Sequence, residues 1–495
     1  MLKTLRHLTP DDRLLHLILS GIAVLIAALA LLLVAPRRAS GQQRAFATPP
    51  VSTAVADVPA TSASTNGPPR VGPAILDSIA RLAIMRNLGV RQAGEVARQS
   101  QLGVRQAAGM FLPSLSVDAR YSEMNGALDL GDVINPAYAA LNQVIGKPMF
   151  PTDVHQTLPY KQETKLHSVL PLFNGALFAN LAAARAIRDL RGAELDAAKR
   201  RLDAESRIAY LNYARAARAV EIYDAALKVV SENQRVAERL VGAGSATGDA
   251  VYRARASVAD VQQQRAESVR LRDAALGQLN LLLDRNPTSP VALIDDAALP
   301  DLRPLSLEDA LLASKRREER DQAAAGAAAA RAQGRAATSS FLPSVAVAGD
   351  YGIQGMEYHF DTSHDVAMAS VVLQWNLFNG GQDYTRRQQA AAARRVSDLR
   401  AQEAERLIAL DVRTAYDAVD VARQSLAAAM ARADASRRAF QVVDRRFNEG
   451  LAPHLEWADA RAQLTAAELN LVMSRYALIA RYVDLERASA VRAIP

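Results

Sequence analysis

Phe111-Leu112-Pro113-Ser114-Leu115 recurs as Phe341-Leu342-Pro343-Ser344-Val345, and Leu172-Phe173-Asn174-Gly175 recurs as Leu377-Phe378-Asn379-Gly380. The residues beside these landmarks alternate in polarity. Leu115, Val117, Ala119 and Tyr121 interleave with Ser116, Asp118 and Arg120, and Ala369, Val371, Leu373 and Trp375 interleave with Ser370, Val372, Gln374 and Asn376. Val345, Val347 and Tyr351, and more weakly Leu166, Ser168 and Leu170, continue the pattern. Side chains of a strand point alternately to its two faces, so each segment predicts a strand with one apolar face. Such segments of about ten residues are the signature of transmembrane β-barrel strands, although a half-buried soluble sheet gives the same pattern. Four strands are expected, near residues 115–123, 164–172, 344–355 and 367–377.

Working outward, Arg207, Ala209 and Tyr210 match Arg413, Ala415 and Tyr416, and Arg239…Gly244 matches Arg445…Gly450. The offset is about 230 residues early and about 206 later, so the chain reads as two repeats, the first with roughly 25 extra residues between its strands. The repeats span 74–285 and 306–495, with a Pro-rich joint over 286–305 that includes Asn286-Pro287-Thr288-Ser289-Pro290. Each repeat opens with a helix, about Ile75 to Met110 and Leu307 to Ser340. Each closes with two long ones, Leu177–Val241 then Asp249–Leu283, and Gln382–Asn448 then Leu455–Ala488. Ile408, Val412, Ala415, Val419, Ala422, Leu426 and Ala429 step alternately by four and three, the seam of a coiled coil. In the first repeat the corresponding positions include Leu202, Ala209, Tyr213, Ala216, Val220 and Tyr223. A helix of about 65 residues spans on the order of 100 Å, so it needs helical neighbours along its whole length. Four strands cannot close a barrel, and an open sheet edge in lipid leaves backbone groups without partners. If the strands cross a membrane, several protomers must share one barrel.

The composition agrees. Hydrophobic residues make up 50 % of the 495 while aromatics reach only 5 %, which suits long helices packed through small residues. A net charge of +7 arises from 59 basic and 52 acidic residues scattered in both signs, with no basic stripe of the kind nucleic-acid binding requires. With no cysteine, disulfides, thiolate metal sites and a lipidated N-terminal Cys are all excluded. The seven His show no metal-ligand spacing, and His359 and His364 fall in a loop of solvated character. Lys3, Arg6 and Arg13 precede an apolar run from Leu14 to Ala35, and Ala45-Phe46-Ala47 follows. Residues 1–47 therefore read as an export signal with cleavage near Ala47, while an uncleaved membrane anchor gives a similar pattern. Residues 48–73, rich in Pro, Ser, Thr and Ala, read as a disordered linker.

The duplicated Phe-Leu-Pro-Ser strand start, the Leu-Phe-Asn-Gly strand end and the paired Arg…Gly helix tips resemble the TolC-type outer membrane efflux proteins, from about Ile75 to the end of the chain. This resemblance implies a homotrimer, mainly α, in which four β-strands per protomer form a 12-stranded outer-membrane β-barrel. The long antiparallel coiled-coil helices would continue it as a periplasmic α-barrel. Residues 122–164 and 352–365 would be extracellular loops, and the equatorial region would lie near the repeat joint and the chain ends. The implied partners are outer-membrane lipid, a periplasmic adaptor (membrane fusion protein) and an inner-membrane pump. No cofactor or catalytic centre is implied, and the sequence has no G-x-S-x-G, Walker-type loop or HExxH.

In that family acidic residues narrow the periplasmic end just after the second helix tip. Here the stretch is Gly450-Leu451-Ala452-Pro453-His454-Leu455-Glu456-Trp457-Ala458-Asp459. Glu456 and Asp459 are three apart and share one helical face, so a trimer would present two acidic rings. Equally, acidic residues in a first helical turn are stabilised there by the helix dipole. Asp249 is the nearest counterpart in the first repeat. Gly242, Gly244 and Ser245 of one tip, and Gly450 and Leu451 of the other, are the expected adaptor-docking positions, and glycine there also serves the chain reversal. A passive exit duct of a tripartite efflux pump or a type I secretion machine is thus expected. A periplasmic adaptor or structural coiled-coil protein is the alternative, and it leaves the duplicated strands unexplained, as does a coiled coil anchored in the inner membrane through residues 14–35.

Overall fold

The computed structural model describes residues 70–71, 74–123, 128–155, 157–158, 161–245, 247–295, 305–355 and 365–494. The export segment, nearly all of the linker, and His359 and His364 lie outside them. The chain divides into two units, one of 111–174 with 343–375 and the other of 65–110, 175–342 and 376–495.

The first unit is a four-stranded antiparallel sheet. Its strands β2 (Ser114–Tyr121), β5 (Gln162–Phe173), β7 (Ser344–Gly355) and β8 (Asp365–Gln374) run in that order across it. The register pairs Val117 with Leu166, Leu166 with Tyr351, and Tyr351 with Ala367. One face therefore carries Leu115, Val117 and Tyr121 of β2, Leu166 and Leu170 of β5, Val345, Val347 and Tyr351 of β7, and Val371 and Leu373 of β8. The apolar side chains at its edges are bare: Val117 is 70 % and Val371 72 % exposed. Trp375 falls just past β8. Between β2 and β5 lies an element that periodicity does not announce. A short β3–β4 pair (Leu128–Asp129, Thr157–Leu158) brackets a helix α3 (Gly131–Ile145) with Pro136 inside it. Asn142 fixes its return, its Oδ1 accepting from the amides of Met149 and Phe150, both at 2.9 Å.

The second unit is helical. Its elements are α1 (Ala74–Arg86), α2 (Leu88–Gly109), α4 (Gly175–Gly242), α5 (Gly248–Leu282), α6 (Leu307–Ala313), α7 (Glu318–Ser339), α8 (Gln382–Asn448) and α9 (His454–Ser489), with a two-stranded parallel pair of β1 (Arg70–Val71) and β6 (Leu293–Ile294). Helices α4 and α5 form one hairpin, α8 and α9 another. Ile408, Val412, Val419 and Ala429 of the predicted seam are buried, as are Leu202, Ala209, Tyr213 and Val220 of its counterpart. Small residues let these helices approach closely, so burial rests on alanine as much as on large side chains. Among the described residues no helix is long and apolar enough to cross a membrane.

Two expected helices are each broken once, and tertiary partners explain both breaks. At Asn87 (ψ 127°) the side chain caps α2 through the amides of Gly89 and Val90 while its Nδ2 donates to the carbonyl of Leu282. At Arg317 (ψ 134°) the guanidinium is buried and donates to Glu319 and Asp411 at 2.6 Å each and to the carbonyl of Ala488 at 3.3 Å. The joint between the hairpins is pinned similarly. Tyr210, Tyr213 and Arg218 donate to the carbonyls of Ala292, Val291 and Ile294. Arg207, almost fully buried, makes ion pairs with Asp77, Asp203 and Glu486, from three different helices.

Candidate functional site

Both helical hairpins reverse by the same motif. In the first, Gly244 (φ 71°) donates to the carbonyl of Val241 at 3.0 Å and Ser245 to that of Leu240 at 2.8 Å. In the second, Gly450 (φ 74°) donates to Phe447 at 3.0 Å and Leu451 to Arg446 at 2.7 Å. This is the Schellman arrangement, a left-handed residue followed by a six-to-one backbone bond that satisfies the last carbonyls of a helix. It explains the paired Arg…Gly landmarks, and it is why glycine rather than a β-carbon residue holds 244 and 450. Gly242 is the last residue of α4 itself. The reversals leave Leu240, Leu451, Leu455 and Tyr252 exposed, the last three by 67–73 %.

Pro453, at ψ 154°, starts α9, and the first turns of that helix hold the predicted carboxylates. Glu456 pairs with Arg446 of α8, Nη1 to Oε1 at 2.8 Å. Asp459 is exposed and accepts from Gln463 at 2.8 Å, one turn further along. The pair with Arg446 is about two-fifths exposed on both sides and contributes on the order of 0–1 kcal/mol. Its consequence is electrostatic instead, because it offsets one of the two charges on that face. Asp249 sits in the first turn of α5, hydrogen-bonded by the Thr247 hydroxyl and by Arg253. These interactions hold its carboxyl below the usual carboxylate range. Among the described residues no hydrogen bond or ion pair joins Asp249 to Glu456 or Asp459.

Behind the carboxylates lies a cluster that sequence reading did not single out. Trp457 is 3 % exposed and packs with Val230 of α4 and Val258 of α5, so it seats the second hairpin on the first. Its ring lies 5.5 Å from that of Phe447 and 6.1 Å from Phe440. The indole Nε1 donates to Asp444 at 2.7 Å. His454 completes the group, 6.0 Å from Phe447 and 5.9 Å from Trp457. Burial, helped by the nearby Arg253 charge, pushes the His454 pKa down, and its buried Nε2 has no hydrogen-bond partner. Arg461 lies over the Phe440 ring at 5.4 Å. The only signal in sequence was aromatic content beside a glycine turn, since Val230 and Val258 are some 200 residues away.

The described residues hold no cluster of three His, Cys, Asp or Glu suited to a metal. What they form is a sheet with one apolar face and a pair of long helical hairpins ending in exposed, partly acidic tips.

Residues 312–491 match the sequence profile of the outer membrane efflux protein family. No match is found among proteins of curated function. Solved structures give a consistent answer for the whole fold. The channel-forming CusC superposes with a TM-score of 0.70 at 18 % identity, covering 84 % of this chain and 91 % of its own. The CmeC outer membrane channel of Campylobacter jejuni gives 0.69 at 16 % identity, covering 84 % and 85 %. The MtrE outer membrane channel of Neisseria gonorrhoeae, solved in its open state, gives 0.67 at 20 %, covering 84 % and 88 %. The chain thus shares the fold of these outer membrane channels, and its residues 312–491 carry the profile of the outer membrane efflux protein family.

Proposed function

We propose that three copies of this chain close one 12-stranded β-barrel and that their helical hairpins continue it as a periplasmic conduit. The assembly then serves as the passive exit duct of a tripartite efflux pump or a type I secretion machine. The observation that carries this is the sheet. It has four strands, one apolar face, and β2 and β8 as its edges. In lipid such edges must be paired, and the symmetrical solution joins β8 of one protomer to β2 of the next. Three copies of four strands make twelve.

Energy for transport would come from an inner-membrane pump coupled through a periplasmic adaptor. The adaptor would meet the tips at Gly242, Gly244, Ser245, Gly450 and Leu451, where exposed Leu451 and Leu455 offer apolar anchors. Glu456 and Asp459, with Asp249 on the neighbouring hairpin, would form the acidic periplasmic aperture. Glu456 would then be partly neutralised by Arg446 within each protomer.

Because the chain lacks cysteine, cross-linking tests the shared barrel cleanly. Val117→Cys on β2, combined in turn with Ala369→Cys, Val371→Cys or Leu373→Cys on β8, places both thiols on the apolar face. Oxidation in membranes should give covalent dimers and trimers for one register. Monomers only, in all three combinations, would contradict the shared barrel.

A further inference from the structure

The sheet face opposite the apolar one is charged, and its charges are organised. Asp118 and Arg120 of β2, Glu163, Lys165 and His167 of β5, and Asp350 of β7 all project from it. Arg120 donates to Glu163 at 3.0 Å. The Lys165 ammonium lies 2.9 Å from Glu163 and 3.9 Å from Asp350, and Asp118 is its cross-strand neighbour. His167 Nδ1 and Asp350 Oδ1 are 2.7 Å apart, with Asp350 only 10 % exposed. The fourth strand adds no charge to this face, where it presents Val366, Met368, Ser370 and Val372.

Gly352 gives the cluster its shape. It pairs with Lys165 across β5 and β7, and a β-carbon there would come within 2.1 Å of the Thr164 carbonyl oxygen and 2.8 Å of Lys165 Cβ. Only glycine admits this close approach of the two strands. Apart from His167, the cluster holds three carboxylates and two fixed cations, an excess of one negative charge per protomer.

We infer that this girdle of Asp118, Arg120, Glu163, Lys165, His167 and Asp350 faces the pore and sets the charge selectivity of its outer-membrane segment, favouring cations over anions. The inference rests on the trimeric barrel proposed above, in which the apolar face meets lipid and the charged face lines the lumen. Three protomers repeat the girdle around the pore, so its small net charge is multiplied into a ring that every solute passes. It is separate from the acidic tips, which belong to the other unit of the chain.

Reversal potentials in planar bilayers under a KCl gradient test it. The parent is the full chain carrying Glu456→Gln, Asp459→Asn and Asp249→Asn, so that the proposed aperture carboxylates do not contribute. Into it are placed Lys165→Gln, Asp350→Asn and, as a second way to remove a cation, Arg120→Gln on the edge strand. Each is measured only as a heat-sensitive trimer. The potassium-to-chloride permeability ratio should rise about two-fold or more in Lys165→Gln and Arg120→Gln, and fall by a similar factor in Asp350→Asn. Ratios equal to the parent's, or shifts of the same sign in cation and carboxylate variants, overturn the girdle alone. A parent chain that forms no trimer and no conductance overturns the duct and the girdle together.

Discussion

Trp457 donates its indole N–H to Asp444 at 2.7 Å while its ring is buried against Val230 and Val258 of the other hairpin. One residue thus joins the turn of the second hairpin to the body of the first. Helices this long have many weak contacts along their length and few large side chains, so a single buried indole weighs heavily near the tips.

Trp457→Ala should cost about 3–5 kcal/mol, the range for truncating a buried aromatic. Asp444→Asn keeps an acceptor for the indole and should cost about 1 kcal/mol or less. Amide hydrogen exchange would locate the effect. Faster exchange is expected in both α4 and α9 for Trp457→Ala; exchange unchanged in α4 would show that the indole does not couple the hairpins.

Replacing Glu456 and Asp459 with Ala should raise single-channel conductance and weaken block by multivalent cations. Arg446→Ala should do the reverse for block, since it frees the Glu456 carboxylate from its partner at 2.8 Å. Conductance and block that ignore all three substitutions would return both carboxylates to an ordinary solvated helix start.

On the apolar sheet face, Val371→Arg or Leu373→Arg should impair outer-membrane assembly, costing about 2–4 kcal/mol near the bilayer midplane. Gln374→Arg, on the opposite face, should be tolerated. The yield of heat-sensitive oligomer measures this, and equal yields from all three would contradict a lipid-facing register.

The buried Arg317 predicts a pH dependence of definite sign. Burial alone raises the pKa of Glu319 and Asp411, but the hydrogen bonds and charge of Arg317, joined by Arg487, outweigh it and hold both below their usual values. The unfolded chain then takes up protons more readily than the folded one. Stability from this network is present above the ordinary carboxylate range and is lost as pH falls through the lowered values. Arg317→Met should flatten the acid limb of the denaturation midpoint against pH, because Glu319 and Asp411 lose the guanidinium that lowers them while Arg487 continues to hold Asp411. An acid limb unchanged in Arg317→Met would assign it to other groups.

The strands and the long helices were legible because their periods differ and repeat. Leu115, Val117 and Tyr121 alternate, and Ile408, Val412 and Val419 step by four and three, with little interruption. The turn glycines were legible for a local reason, the left-handed conformation at Gly244 and Gly450. What escaped was set at a distance. The breaks at Asn87 and Arg317 depend on the carbonyls of Leu282 and Ala488, and helix α3 depends on Asn142 folding back the chain after it. At the tips, Glu456 and Asp459 could be named from the family resemblance, with their spacing of three placing them on one face, but Trp457 and His454 matter through Val230, Val258 and Phe447, partners no local pattern joins to them.

Fractionation of cells expressing the full chain, with the membrane material run unheated in mild detergent, tests the trimeric duct most directly. A heat-sensitive species of three chains in the outer membrane is the expected result. A monomer or dimer in the periplasm or inner membrane would contradict it.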